Sequence, residues 1–271
     1  MNRKKKISQI KDKPYYDVIL YIIITYTITW TILFPLSYYY NTLDVFIREL
    51  WHSCGALGPA IAGLLVIYKQ EKRLGLGKLK RSLFQYAGIG LLLFSLSPLI
   101  ILILSIFFEY LFGFFDIYQF IQTNNLVNFS AFLIFIIPSL SYGIFEEIGW
   151  RGYLLPALQK KNDAFTSSII VAIIWWLWHF PLFFYRYDIF FAIFFMLPLM
   201  VFGSITFTFL YNQSNGSLIL VIIFHVCYDL TTSHQISIIA IILTSILFIF
   251  IGIRAIKFYG KATLSRRKTI S

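Results

Sequence analysis

The chain has 271 residues, of which 59% are hydrophobic and only 13% are charged. Soluble globular domains are roughly 45 to 50% apolar and about 25% charged, so this composition excludes an ordinary soluble domain. The net charge of +11 is gathered in basic clusters beside apolar stretches, which indicates anionic membrane lipid as a partner and argues against nucleic acid. Two cysteines, Cys54 and Cys227, are too few for a disulfide framework or a thiolate metal cage.

The apolar stretches predict an all-α fold, a polytopic helical bundle of about eight transmembrane helices, since about 20 apolar residues span a bilayer. No linker or repeat divides the chain, so residues 1–271 are predicted to form a single membrane domain. The predicted spans cover 17–38, 51–68, 84–108, 131–158, 165–183, 188–210, 216–232 and 236–256.

The distribution of lysine and arginine predicts which side of the membrane each end occupies. Only Arg48 and Arg186 fall in loops that an eight-span arrangement places outside the cell. The predicted loop at 69–83 is strongly basic and so is expected in the cytoplasm. Both termini of this multi-pass cell-membrane protein are expected there too, because basic residues crowd them: Arg3, Lys4, Lys5, Lys6, Lys11 and Lys13, then Lys257, Lys261, Arg266, Arg267 and Lys268.

The second predicted span is rich in small residues around Pro59. Gly58 and Ala62 lie one helical turn apart, as do Ala56 and Ala60, and small residues at that spacing allow helices to approach closely. We expect tight packing against a neighbouring helix here. The alternative is that these small residues line a substrate cavity directly.

The fourth predicted span contains three ionisable side chains, Glu146, Glu147 and Arg151. A charge at the centre of a spanning helix costs about 2.5 to 3.5 kcal/mol, so such residues are usually paired or functional. Arg151 follows Glu147 by one turn and can neutralise it, whereas Glu146 points about 100° away and is left free. If the helix continues to about Leu158, Glu146 and His179 of the next span lie at similar depth.

Three further titratable residues lie in apolar helices. His225 and Asp229 are one turn apart in the seventh span, and His179 lies far along the fifth. Each motif alone is compatible with a buried structural pair. Together with the fourth span they place six polar groups on three helices, which indicates a functional site. His52 and His234 suit the polar interface and are not assigned to the site.

The spacing of these residues resembles the CPBP family of integral membrane proteins, which includes CAAX prenyl endopeptidases and Abi-like proteins of bacteriocin processing and self-immunity. The resemblance covers roughly residues 140–232 within a predicted protease-like core at 131–232. It rests on three motifs on separate helices: Glu146-Glu147-x-x-x-Arg151, Trp175-x-x-x-His179 and His225-x-x-x-Asp229. The chain has Trp175 where the family usually has Phe, and Asp229 where it usually has Asn.

The resemblance implies an intramembrane CAAX-type endopeptidase that cleaves a hydrophobic or lipidated protein or peptide near its C-terminus. It implies that Glu146 activates the hydrolytic water and that His179 helps to hold it. Glu147 and Arg151 would form the supporting ion pair.

The resemblance implies that His225 and Asp229 either bind a metal or stabilise the oxyanion, and both mechanisms remain open. With His179 they would supply a zinc site of two histidines and one carboxylate with an open fourth position. Without metal, Glu146 and His179 would polarise water directly. An ionised Asp229 could not donate a hydrogen bond to an oxyanion, so we expect it either to bind zinc or to accept the ring N–H of His225.

Two other classes of protein fit the same residues. A noncatalytic membrane scaffold or bacteriocin self-immunity protein would keep the fold without the chemistry. A small transporter would use the buried charges to relay protons. The natural substrate and the oligomeric state do not follow from the sequence.

Overall fold

The computed structural model describes residues 14–232 and 236–266. His234 and the basic residues Arg3 to Lys13, Arg267 and Lys268 lie outside these ranges. Within them the protein is helical and contains no strand. The α-helices, in chain order, are α1 Pro14–Tyr39, α2 Val45–Cys54, α3 Leu57–Leu83, α4 Ile89–Ser95, α5 Ser97–Leu111, α6 Ile117–Thr123, α7 Phe129–Gly149, α8 Leu155–Gln159, α9 Ala164–Trp178, α10 Ile189–Phe191, α11 Leu197–Gln213, α12 Leu218–Thr232 and α13 Ile238–Tyr259.

The all-α, polytopic membrane architecture is confirmed, whereas the count of eight spans stays a prediction. Five helical segments of the described chain are long and apolar enough to cross a bilayer: Tyr15–Tyr39, Val45–Leu83, Phe129–Gln159, Ile189–Gln213 and Ile238–Tyr259. The pair α4 and α5 makes a sixth if its 56° bend lies within one span. Two shorter apolar helices, α9 and α12, complete the bundle.

Two predicted segments differ from the structure. Residues 69–83, predicted as a loop, continue helix α3 to Leu83, with one non-helical residue at Lys72. The leucines of this segment recur at helical spacing, so it packs as an amphipathic extension of the span. The third predicted span is broken where α4 ends before Ser97, because Pro98 can begin a helix but cannot continue one.

The fourth span is the structural centre of the bundle. Helix α7 leads into a π-helical turn, Trp150–Leu154, and then into α8, so the segment runs from Phe129 to Gln159 as predicted. A π-helical turn inserts one extra residue and is frequent at functional sites. It was not expected from the sequence.

Two glycines allow other helices to approach this segment on either side of Glu146. A Cβ atom at Gly149 would lie 2.5 Å from the carbonyl oxygen of Pro59, and one at Gly143 would lie 2.9 Å from the backbone nitrogen of Val226. The close packing predicted around Pro59 is therefore confirmed, and its partner is the helix that carries Glu146. Helices α3 and α12 are thereby held directly against the charged residues.

Contacts at the start of α9 locate the basic C-terminal segment at that end of the bundle. Backbone N–H groups of Ala164 and Phe165 donate to the carbonyl groups of Ala262 and Lys261. Helix α9 then rises for 15 residues, about 22 Å, before it reaches His179. The polar residues at the end of α9 thus lie toward the opposite end from the basic C-terminal segment.

Candidate active site

Glu147 lies at the centre of the buried charges. Its Oε1 accepts from Nη1 of Arg151 at 2.7 Å, and neither side chain is exposed to solvent. The same oxygen lies 2.7 Å from Nδ1 of His225 on α12. The predicted pair of Glu147 and Arg151 is therefore present, and a histidine from another helix completes it. One carboxylate oxygen serves two basic partners.

Glu146 is held differently, although it is the neighbouring residue. Its Oε2 accepts from the indole nitrogen of Trp150 at 2.7 Å, and only 1% of the residue is exposed. Trp150 is the first residue of the π-helical turn and is fully buried against Tyr21 and Trp178. Glu146 thus has a neutral donor and no ion-pair partner among the described residues. The sequence predicted the free carboxylate but not its indole partner.

His179 lies at the end of α9 with its ring orientation fixed. Its Nδ1 lies 2.8 Å from the carbonyl oxygen of Trp175, so Nδ1 donates and the lone pair is on Nε2. The rings of Trp178 and Trp175 pack against the imidazole at centroid distances of 4.8 and 6.1 Å. His179 therefore offers one nitrogen acceptor from within an aromatic wall.

Trp175 connects the three motifs. Its ring packs 5.5 Å from the ring of His225 and 5.0 Å from the guanidinium carbon of Arg151. Its indole N–H is buried and has no hydrogen-bond partner, and the same holds for Trp178. A buried unpaired donor is costly and needs an explanation. These two indoles are site residues that the sequence reasoning missed, although Trp175 stood in one of the motifs.

Asp229 does not accept the ring N–H of His225, which was one of the two roles predicted for this carboxylate. The ring Nε2 of His225 lies 3.7 Å from Oδ1 of Asp229, which is beyond hydrogen-bond distance. The ring N–H bond goes to Glu147 instead, because α12 turns Nδ1 of His225 toward α7. Asp229 is left beside the ring as a nearby carboxylate.

In the described residues, the structure does not group His179, His225 and Asp229 as three ligands of one metal ion. Across residues 14–232 and 236–266, no three His, Cys, Asp or Glu side chains are grouped closely enough to hold a metal ion. Zinc in proteins needs such ligands at about 2.0 to 2.3 Å around a common point. The zinc hypothesis stays a prediction.

The exposure of the site residues rises toward one end of the bundle. Arg151 is fully buried and Glu146 is 1% exposed, whereas His179 reaches 8% and the side chain of Asp229 reaches 17%. The more exposed residues lie at the ends of α9 and α12, away from the basic segment that follows α13. We call this end of the bundle the mouth of the site.

His52 adjoins the mouth, although the sequence analysis left it out. It is 3% exposed and its ring stacks on Tyr142 at 4.9 Å. Tyr142 lies one turn before Glu146 on α7 and contacts the ring of Trp178 at 6.0 Å. A lone histidine at the start of a span gives little signal, and only the folded chain brings it to the site.

Comparisons with known proteins indicate the family of this chain. A family model described as "Type II CAAX prenyl endopeptidase Rce1-like" matches residues 127–231, which include all six candidate residues. Over 234 residues the chain is 33% identical to CAAX prenyl protease 2 of Methanococcus maripaludis, and the match covers 79% of this chain and 83% of that protein. The chain belongs to the Rce1-like CAAX prenyl endopeptidase family. The predicted resemblance is thereby confirmed, and the protein is a multi-pass membrane protein of a protease family.

Proposed function

We propose that this member of the CAAX prenyl endopeptidase family hydrolyses a peptide bond near the C-terminus of a hydrophobic or lipidated substrate, with Glu146 as the general base. One observation carries the proposal. Of the two adjacent buried carboxylates, Glu147 is committed to Arg151 and His225, whereas Glu146 accepts only from the indole of Trp150. Glu146 therefore keeps lone pairs for a water molecule.

The hydrolytic step uses Glu146 and His179 together. Glu146 takes one proton from water while the water oxygen attacks the carbonyl carbon of the scissile bond. Nε2 of His179 accepts a hydrogen bond from the remaining water hydrogen and so orients the nucleophile. When the tetrahedral intermediate collapses, the C–N bond breaks and Glu146 returns its proton to the leaving amine.

The developing oxyanion needs hydrogen-bond donors, and Trp175 is the best placed one. Its unpaired indole N–H lies in a ring that contacts His179, His225 and Arg151. Donors fixed in advance stabilise an oxyanion without reorganisation, and each contributes about a hundredfold to a thousandfold in rate. This role explains why the structure keeps a buried indole without a partner.

The surroundings of the mouth support a hydrophobic substrate. Large aromatic side chains of the segment after α9 are exposed, among them Phe184, Phe190, Phe194 and Phe195. Such a surface suits membrane lipid and the lipid-linked tail of a peptide. The name of the archaeal relative, CAAX prenyl protease 2, supports the same class of substrate. The basic segments at the other end suit anionic lipid headgroups.

We further propose that both termini face the cytoplasm, as the positions of lysine and arginine predict. The mouth, at the opposite end of the bundle, then faces the other side of the membrane. Single cysteines near residue 3, at Lys161 and at Asp188, each in a cysteine-free background, test this with a membrane-impermeant reagent. We expect labelling of intact cells only at residue 188. Labelling at residue 3 and protection at residue 188 would reverse the orientation.

Cleavage of an internally quenched, farnesylated peptide by purified protein tests the proposed activity. We expect Glu146→Gln to lower kcat by about a thousandfold, because a general base contributes roughly a hundredfold to ten-thousandfold, and to leave thermal stability unchanged. Glu71→Gln, which removes a surface carboxylate paired with Lys78, is the matched control and should keep full activity. Equal activity of Glu146→Gln and wild type would refute the proposal. A wild-type protein without any cleavage would favour a noncatalytic scaffold.

A further inference from the structure

A second group of charged and polar side chains lies at the mouth of the site. Arg186, in the segment between α9 and α10, pairs with Glu49 of α2 through Nη2, and Arg48 approaches the same carboxylate at 3.3 Å. Nη1 of Arg186 lies 3.1 Å from Nε2 of His52. We call these residues, with Tyr185, the mouth cluster.

The mouth cluster carries an uncompensated positive charge. Two arginines share one glutamate, and His52 adds no charge. Because arginine can only donate, Nε2 of His52 accepts from Arg186 and the ring proton lies on Nδ1. The cluster therefore has a formal charge of +1.

Donor hydrogens of the cluster remain available. Arg186 is in contact with His52, Glu49 and the hydroxyl of Tyr40, which leaves two of its five N–H hydrogens. Nδ1 of His52 donates to the hydroxyl oxygen of Tyr185 at 2.9 Å, so the hydroxyl hydrogen of Tyr185 is also free to donate. The side chain of Arg186 is 24% exposed. An excess positive charge with accessible, partly oriented donors suits a carboxylate.

The cluster is directly connected to the reaction centre. The hydroxyl of Tyr142 donates to the carbonyl oxygen of His52 at 3.2 Å, and Tyr142 precedes Glu146 by one turn of α7. Arg186 is thus connected to the helix of Glu146 through the ring of His52, which stacks on Tyr142 at 4.9 Å.

From this placement we propose that the mouth cluster binds the C-terminal carboxylate of the substrate, with Arg186 as the main ligand. The inference rests on the proposed endopeptidase activity, because the bound carboxylate fixes which peptide bond reaches Glu146. Arg186 is then a specificity-determining residue rather than a catalytic one.

Paired peptides that differ only at the C-terminus test the inference. Wild-type protein in phosphatidylcholine nanodiscs is given an internally quenched peptide that ends in farnesyl-Cys-Val-Ile-Met, as the free acid or the amide. We expect amidation to lower kcat/KM by at least about tenfold, through KM, since a charge-assisted hydrogen bond is lost. Arg186→Gln should lose the same factor on the acid and show no preference between the two peptides. Arg186→Lys should recover part of the preference.

Controls separate this effect from damage to the fold. Arg186→Gln leaves Glu49 without its main partner, so the double variant Glu49→Gln/Arg186→Gln is measured beside it and should show the same loss of preference. Arg254→Gln removes a guanidinium that packs on Phe258 outside the cluster and should keep the wild-type ratio. An unchanged ratio of acid to amide in Arg186→Gln, or no preference in wild type, would overturn the inference.

Binding measurements distinguish failure of the inference from failure of the proposed activity. The same two peptides, labelled with a fluorophore, are titrated against Glu146→Gln and against Glu146→Gln/Arg186→Gln. A preference for the acid that requires Arg186 supports the carboxylate site even if wild type cleaves neither peptide. If Arg186→Gln instead alters only the response to phosphatidylglycerol in the nanodisc, the cluster binds lipid headgroups and the inference is wrong.

Discussion

Two groups in this molecule share one plan, a glutamate between two basic side chains, but they differ in exposure. Glu147 lies between Arg151 and His225 with no exposed side-chain surface on the glutamate or the arginine. In the mouth cluster, Glu49 lies between Arg48 and Arg186, whose side chains are about one quarter exposed. The buried group can only hold its geometry, whereas the exposed group can exchange partners with a ligand. Burial therefore suits the Glu147 group to a supporting role, and exposure suits the mouth cluster to a binding role.

The buried group also leaves polar atoms unpaired. Oε2 of Glu147 and both Nε and Nη2 of Arg151 are buried without a hydrogen-bond partner. Unpaired buried atoms are destabilising, so the pair does not serve stability alone. It holds the ring of His225 against helix α7, the helix that also carries Glu146. The buried Glu147–Arg151 pair, although burying it is unfavourable, thus holds the site residues in place.

Replacing Arg151 and Arg48 in separate variants gives the largest expected contrast in protein stability. Arg151→Ala should destabilise the protein by about 3 to 5 kcal/mol, because it leaves Glu147 buried with a histidine alone. Arg48→Ala should cost about 0 to 1 kcal/mol, because its ion pair is partly exposed to solvent. Thermal unfolding in detergent, followed by tryptophan fluorescence, measures both. Similar losses in the two variants would show that burial does not distinguish the groups.

The sequence predicted what helix geometry fixes and missed what depends on contacts between helices. The pair of Glu147 and Arg151 followed from a spacing of four residues, and the long fourth helix followed from matching the depth of Glu146 to His179. The partner of His225 could not be found that way, because the rotation of α12 against α7 decides whether its ring reaches Glu147. His52 reaches Arg186 across 134 residues of chain. No local pattern predicts a contact of that kind.

The next largest effect is expected from Trp175, one of the two tryptophans whose rings pack against His179. Trp175→Phe removes the unpaired indole N–H and keeps the ring, so we expect kcat to fall by about a hundredfold with little change in KM. Trp176→Phe is the matched control on the neighbouring residue. Its indole donates to the carbonyl oxygen of Ala192 at 2.9 Å, a structural bond away from the reacting groups, so its loss should lower stability and spare kcat. Equal kcat in Trp175→Phe and wild type would remove Trp175 from the mechanism.

Replacement of Asp229 should have the smallest effect and it separates the two mechanisms that the sequence left open. Asp229 makes no hydrogen bond to His225, so in a metal-free site Asp229→Asn should keep kcat within about tenfold, which is about 1.4 kcal/mol. The asparagine amide also adds two donor hydrogens beside His225. It should therefore restore part of the activity lost in Trp175→Phe when the two changes are combined.

A zinc site predicts the opposite result for the same variant. Loss of one of three ligands would weaken metal binding, so Asp229→Asn would lose activity, regain it with added zinc, and fail to rescue Trp175→Phe. Wild-type activity would also be abolished by a chelator. Cleavage by the wild type, the two single variants and the double variant, each measured with zinc and after chelation, separates these outcomes. Activity that changes neither with added zinc nor with a chelator, together with rescue in the double variant, would show that indole and amide donors stabilise the oxyanion. It would also exclude Asp229 as a zinc ligand.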